Sequence, residues 1–259
     1  MLKRQLQDFI DNGYREYLPH VSIDCAVFGF HENELKILLL KWKYLRGWSL
    51  PGGYMKRAEP ADTAASRLLK ERTGIGGIFF KQYHTFTDPD RSKVPGMKMA
   101  DFNKALGVRF PKGNWLRQRV VSIGYYALVE YSQIINPQPD FFTEECSWCD
   151  LNRLPGLLFD HAEMITEALR ALRLQIIHQP VGLNLLPKEF TMSELQSLYE
   201  TILGVRLDRA NFRKKIIGLK IVRKTGERRT GKPHKTPHVY SFDKRVYTKA
   251  LKSGINFSI

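Results

Sequence analysis

Gly53-Tyr-Met-Lys-Arg-Ala-Glu59-Pro-Ala-Asp-Thr-Ala-Ala-Ser-Arg67-Leu68-Leu69-Lys-Glu71-Arg72-Thr-Gly74-Ile75 is the stretch that decides the fold. Pro60 suits a first helical turn, and Ala61, Ala64, Ala65, Leu68 and Leu69 recur at the spacing of one helical face, so Pro60 to Arg72 is expected to be a helix. Gly74 stands where a helix ends most easily, in the left-handed conformation that glycine adopts without cost. Arg67 and Glu71, four residues apart, are placed to pair on the surface of that helix. A helix with a glycine at each end explains the glycines but not the joint spacing of Glu59, Arg67 and Glu71.

Upstream, Trp48-Ser-Leu-Pro-Gly-Gly53 reads as a loop. Before it, Val21 to Phe30 and Leu35 to Trp42 are rich in Val, Ile, Leu and Phe and are separated by His31-Glu-Asn-Glu34, the signal of a hairpin. A short polar helix opens the chain. Downstream, Gly77 to Thr85 and Val120 to Glu130 are strand-like, and Leu157 to His178 repeats Leu158, Ile165, Ala168, Leu169, Leu172 and Ile176 at helical spacing. Strands interrupted by one helix and followed by another predict an α/β layered fold. Residues 92–118 are basic, hold Pro95, Gly96, Gly107, Pro111 and Gly113, and lack periodicity; they read as a long insertion lying over a pocket. Pro180 ends the last helix and marks the boundary between a domain over 1–180 and a second over 181–259.

Charge separates these two parts. The chain of 259 residues carries a formal charge of +15. From Val181 onward there are 17 Lys and Arg against 6 Asp and Glu, whereas the first 180 residues are nearly balanced. A basic module of this kind most commonly meets phosphate backbones, with an anionic membrane surface next. No run reaches the roughly 18 apolar residues of a membrane span, and Met1 to Tyr17 is polar, so a cytoplasmic protein that does not enter the membrane is expected. Cys25, Cys146 and Cys149 fit a reducing compartment, and a lone C-x-x-C makes a poor zinc site. No metal and no cofactor are expected.

The basic part has its own pattern. Thr191-Met-Ser-Glu194 is a capping box that opens a helix bearing Leu195, Leu198, Tyr199 and Ile202 on one face, and Gly204 closes it. Leu207 and Asp208 lead into a second helix, Arg209 to Leu219, whose Phe212, Ile216 and Ile217 can face a core. Two short helices joined by a tight turn are a helix-turn-helix. Ile221 to Gly226 and Pro237 to Phe242 then flank a basic loop, Glu227 to Lys235, as a wing. Arg209, Asn211, Arg213, Lys214 and Lys215 are the candidate major-groove contacts, with Asn211 and Arg213 the best suited to read bases. Arg228, Arg229, Lys232 and Lys235 are the candidate wing contacts.

The opening stretch resembles the Nudix box, G-x5-E-x7-R-E-U-x-E-E-x-G-U with U aliphatic; seven of its nine defined positions match. Asp88-Pro-Asp-Arg91, Val120 to Val129 and Leu154 to His161 resemble segments of Nudix-related transcriptional regulators of the NrtR type. The resemblance implies a Nudix α/β/α sandwich followed by a winged helix-turn-helix, binding a palindromic double-stranded operator as a homodimer and acting as a repressor. Nudix hydrolases hold Mg²⁺ with the box carboxylates. Leu68 and Arg72 replace two of these here, so no enzyme activity is expected. Members of the family respond to ADP-ribose or, in a branch with eroded boxes, to sugars such as arabinose. Loss of box carboxylates favours a neutral sugar by subtraction, with Asp24, Lys41, Trp48, Glu71 and Arg119 as candidate effector-binding residues; an ADP-ribose-responsive regulator and an active hydrolase are the alternatives.

Overall fold

The computed structural model describes residues 2–253 apart from 75, 95, 97, 134–141, 180–181 and 228–236. The described chain divides into two compact units: residues 1–28, 36–127 and 132–168 in one, and 29–35, 128–131 and 169–259 in the other.

In chain order the elements up to residue 178 are α1 (Leu2–Asn12), β1 (Tyr17–His31), β2 (Glu34–Trp42), β3 (Trp48–Ser49), β4 (Gly52–Lys56), α2 (Ala61–Thr73), β5 (Phe79–Phe86), α3 (Met99–Leu106), β6 (Val121–Glu130), β7 (Thr143–Asp150) and α4 (His161–His178). Among the described residues these strands form a seven-stranded sheet in the order β3-β2-β1-β6-β5, with β4 pairing to β1 and β7 to β2. Residues 22–29 of β1 are buried without a break, so this central strand is covered on both faces rather than half solvated. Its pairing with β4 sets Asp24 opposite Gly52 and Ile23 opposite Gly53.

The α2 helix buries Ala64, Ala65, Leu68 and Leu69 of the expected stripe, while Ala61 in its first turn is only half-buried. Pro60 is its N-cap, with ψ of 159°, so the helix proper starts one residue later, and Gly74 at φ 75° is its left-handed C-cap. The α4 helix starts at His161, four residues after the expected Leu157, because Leu157 is bridged to Trp48 and Leu158 donates its N–H to the Trp48 carbonyl at 2.8 Å. Its buried apolar side chains are Met164, Ile165, Ala168, Leu172 and Ile176, at helical spacing.

The 92–118 insertion is not a bare loop. It contains α3, and its Leu106, Val108 and Phe110 form a small core with Leu6 and Ile10 of α1. Asn114 Nδ2 and Trp115 Nε1 both donate to the Ile10 carbonyl, at 2.7 and 3.0 Å, so the insertion is tied to the N-terminal helix.

The second unit holds β8 (Phe190–Thr191), α5 (Met192–Leu203), α6 (Arg209–Gly218), β9 (Val222–Glu227), β10 (His238–Phe242) and α7 (Lys244–Ser253). Its three strands run in the order β8-β10-β9. Leu195, Leu198, Tyr199 and Ile202 of α5 and Phe212 and Ile216 of α6 are all buried at 1% exposure or less. No helix among the described residues is long and apolar enough to cross a membrane.

Candidate functional site

Glu59 and Arg67 form the best-ordered contact of the Gly53–Gly74 segment. Arg67 Nη2 and Nε donate to the two Glu59 oxygens at 2.6 and 3.1 Å, and Nη2 also donates to the Tyr54 carbonyl. Glu59 Oε1 further accepts the Lys56 N–H at 2.7 Å, closing the loop in front of α2. These bonds, Arg67 first, hold the Glu59 carboxyl below its ordinary range. Arg67 reaches Glu71 as well, at 3.2 Å, which is the pairing that the i, i+4 spacing predicts.

The two positions that depart from the Nudix pattern are both used. Leu68 is 3% exposed and packs so closely on Gly53 that a Cβ there would meet its Cδ2 at 2.7 Å. Arg72 is half-buried, and its Nη2 donates to the Gly52 carbonyl at 3.4 Å. Burial pushes the Cys146 thiol of β7 up to about 12, and the nearby Arg72 charge works against that rise. A hard divalent cation needs several carboxylate oxygens turned towards it. Both Glu59 oxygens and both Glu71 oxygens face Arg67, Leu68 offers no oxygen, and Arg72 is itself a cation. The donor set does not fit the metal, and among the described residues no group of three or more His, Cys, Asp or Glu is arranged to hold one.

A second polar group lies inside the sheet. Arg91 is 7% exposed and clasps Asp160 with Nε and Nη2, both at 2.9 Å; its Nη2 is 3.5 Å from Asp24 Oδ2. Asp24 also accepts the Ser122 hydroxyl at 2.5 Å, and its Oδ1 is 3.8 Å from His161 Nε2. Gly52 is required at its position because a Cβ would collide with Asp24 Oδ1. His161 Nδ1 lies 2.8 Å from the Leu50 amide, which only donates; Nδ1 is therefore the acceptor and the ring is neutral with its proton on Nε2.

Burial, opposed by the Asp24 and Asp160 charges, pushes the His161 pKa below its ordinary value of 6.5. A base depressed by folding binds fewer protons in the native state than in the unfolded one. Its contribution to stability is therefore complete above pH 6.5 and is lost as pH falls through the lower, folded value. The melting temperature is expected to drop as pH is lowered from about 6.5, and His161→Asn, whose amide oxygen can still accept from Leu50, is expected to flatten that dependence. A wild-type melting profile that stays level down to pH 5 would remove this assignment.

The five expected effector residues have the following surroundings. Lys41 and Trp48 are register partners across β2 and β3. Lys41 is turned to Glu144 and Glu145 at 3.0 and 3.8 Å; Glu71 is held by Arg67; and Arg119 is exposed and donates to the Thr87 carbonyl at 2.6 Å. Asp24 belongs to the buried group. Among the described residues no hydrogen bond or ion pair joins any two of the five side chains. Sequence reasoning missed Arg91, Ser122, Asp160 and His161 as one group, although Arg91 and Asp160 to His161 end two of the three segments singled out for their resemblance and Ser122 lies within the third.

In the second unit the local chemistry builds the expected helix pair. Thr191 and Glu194 close a reciprocal capping box on α5, and Gly204 at φ 73° ends that helix. Glu200 Oε1 accepts the Leu207 N–H at 2.8 Å and Gln196 donates to the Leu207 carbonyl at 2.9 Å, which fixes the turn. Asp208 caps α6 by accepting the Asn211 N–H at 2.8 Å. Phe212 and Ile216 are turned inward, but Ile217, expected in the core, lies one position further round the helix and is 45% exposed; Arg209, Asn211, Arg213 and Lys214 are exposed and Lys215 is half-buried. Arg209, Arg213 and Lys214 form no ion pair among the described residues. Arg228, Arg229, Lys232 and Lys235 lie outside the described residues. The α7 helix adds exposed Lys244 and Arg245, which the sequence reading did not include.

Comparison with known proteins agrees with this division. Residues 18–170 match the NUDIX domain, and residues 182–242 match the NrtR DNA-binding winged helix domain. The chain is 26% identical over 216 residues to the ADPR responsive transcriptional repressor NtrR of Acinetobacter baylyi, covering 81% of this chain and 76% of that protein. It is 29% identical over 161 residues to an ADP-ribose pyrophosphatase of Methanocaldococcus jannaschii, covering 61% and 78%. The crystal structure of Shewanella oneidensis NrtR superimposes with a TM-score of 0.68 at 24% identity, covering 88% of this chain and 96% of that one. The same protein complexed with a 27mer DNA gives 0.66 at 22%, covering 88% and 95%. The likeness to these structures shows the fold, a Nudix domain followed by a winged helix.

Proposed function

Since this chain belongs to the Nudix domain family and carries an NrtR-type winged helix behind that domain, we propose that it is a DNA-binding transcriptional repressor with ADP-ribose as its effector. The observation that carries the proposal is the α6 helix, which is capped, packed by Phe212 and Ile216, and exposes Arg209, Asn211, Arg213 and Lys214 on its outer face. A helix of this kind enters the major groove, where Arg suits guanine and Asn suits adenine, and the flanking cations meet phosphate. The sensing part spans 1–180 and the DNA-binding part 181–259, and the operator is read by a homodimer.

ADP-ribose is preferred over a sugar on two grounds. The curated relatives are a repressor named for its response to ADPR and an ADP-ribose pyrophosphatase. Lys41, Glu71 and Arg119, three of the positions expected to bind a sugar, already have protein partners. The chain is a sensor rather than a hydrolase because its box does not fit the divalent cation. ADP-ribose incubated with the protein and Mg²⁺ is expected back intact, and turnover on the order of 1 s⁻¹ or more would contradict that reading.

DNA binding is tested by selection from a pool of random duplexes. The expected result is enrichment of a palindromic site that the chain binds at least about a thousandfold more tightly than random duplex at matched salt. Equal binding of random duplex and single strands would oppose it.

A further inference from the structure

Ile217 lies in the last turn of α6 and is 45% exposed, although Ile216 and Ile221 on either side of it are buried at 0% and 1%. Its backbone is held in place: its carbonyl accepts the Lys220 N–H at 3.0 Å, and the Leu219 N–H reaches the Lys215 carbonyl at 3.0 Å. Residues three and four apart on a helix are surface neighbours, with Cβ atoms about 5–6 Å apart. Lys214 and Arg213 stand at those two positions before Ile217 and are both exposed, while Phe212 and Ile216 turn the other side of the helix to the core. A single exposed isoleucine is ordinary on a protein surface. This one shares its face with the cations assigned to DNA, so a groove that receives Arg213 and Lys214 receives Ile217 with them.

We infer that Ile217 is a base-reading residue that packs on the 5-methyl group of a thymine in the operator, close to the base contacted by Arg213. This inference rests on the DNA-binding reading given above. Thymine alone among the four bases carries an apolar group on its major-groove edge. Isoleucine has neither donor nor acceptor, so against adenine, guanine or cytosine it would strip water from polar groups and return no hydrogen bond. Against a methyl group it removes apolar surface from water on both partners. Its branched Cβ holds χ1 to one preferred rotamer in a helix, so little freedom is lost on contact. Arg213 and Asn211 then supply the polar part of the readout and Ile217 the apolar part, which no hydrogen bond can replace.

The test uses the full chain and its selected duplex, with each thymine replaced in turn by deoxyuridine, which pairs identically and lacks only the methyl group. Affinity is measured at fixed salt for wild type and Ile217→Ala. Wild type is expected to bind about fourfold more weakly when one particular thymine of a half-site loses its methyl, the effect of one buried methyl group. Ile217→Ala is expected to bind the thymine and uracil forms of that position alike, to respond as wild type does at every other thymine, and to melt at the wild-type temperature. A selected half-site without thymine, or a wild type indifferent to uracil at every position, would overturn the inference and leave the DNA-binding reading intact. Uracil sensitivity that persists undiminished in Ile217→Ala would also overturn it, since another side chain or the shape of the duplex would then read the methyl. Equal weakening of selected and random duplex by Ile217→Ala, with a change in sedimentation, would overturn it in favour of a contact between copies of the chain. No preference of wild type for any selected duplex would overturn the DNA-binding reading itself. Should Ile217→Ala fail to fold, Ile217→Gln takes its place with the same expected result.

Discussion

Reversing the charge of Arg213 and Lys214 together, to glutamate, is expected to lower affinity for a selected operator duplex by at least about a hundredfold. A side chain that reads a base edge is worth roughly 1–3 kcal/mol, and a cation taken away from a phosphate forgoes the entropy of a released counterion. Both side chains are exposed and form no ion pair among the described residues, whereas the helix is held by Phe212, Ile216 and the Asp208 cap. The fold should therefore be indifferent, with a stability change within about 0.5 kcal/mol. The slope of log affinity against log salt should become shallower as well. Unchanged affinity, with the melting temperature also unchanged, would show that α6 is not the helix that meets DNA.

Replacing Arg91 with methionine is expected to destabilise the Nudix domain by about 3–5 kcal/mol, since it leaves two buried carboxylates without their shared partner. For a protein of this size that is roughly a 10 °C fall in melting temperature. Asp160 takes two bonds from Arg91 at 2.9 Å and Asp24 lies 3.5 Å from it, with each carboxylate near 11% exposed. Adding Asp160→Asn to Arg91→Met should restore part of the loss, because only one buried charge then remains unpaired. A double-mutant cycle read by thermal unfolding measures this, and a coupling near zero would mean that the group does not organise the site.

The winged helix is legible in the sequence because its determinants are local. Thr191 with Glu194, Gly204 and Asp208 each act within four residues, so their spacing alone marks where helices begin and end. The α2 helix is legible for the same reason, down to its Gly74 cap. What escapes depends on distant partners. Thr143-Glu-Glu-Cys-Ser-Trp-Cys-Asp150 has little apolar periodicity and becomes a strand through pairing with β2, more than a hundred residues away. Leu106, Val108 and Phe110 read as scattered apolar residues in a basic loop, and only α1 gives them a core. Asp24, Arg91 and Asp160 are likewise brought together by the sheet.

The most direct test of the central claim is the affinity of the full chain for its selected duplex, measured at fixed salt while ADP-ribose or L-arabinose is raised. A ligand shifts DNA binding only through its unequal affinity for the competent and incompetent states, and the effect must be reciprocal. ADP-ribose is predicted to weaken duplex binding by at least tenfold, saturably, with the duplex weakening ADP-ribose binding by the same factor and L-arabinose leaving both unchanged. Release by L-arabinose alone, or ADP-ribose binding that leaves duplex affinity untouched, would contradict the claim.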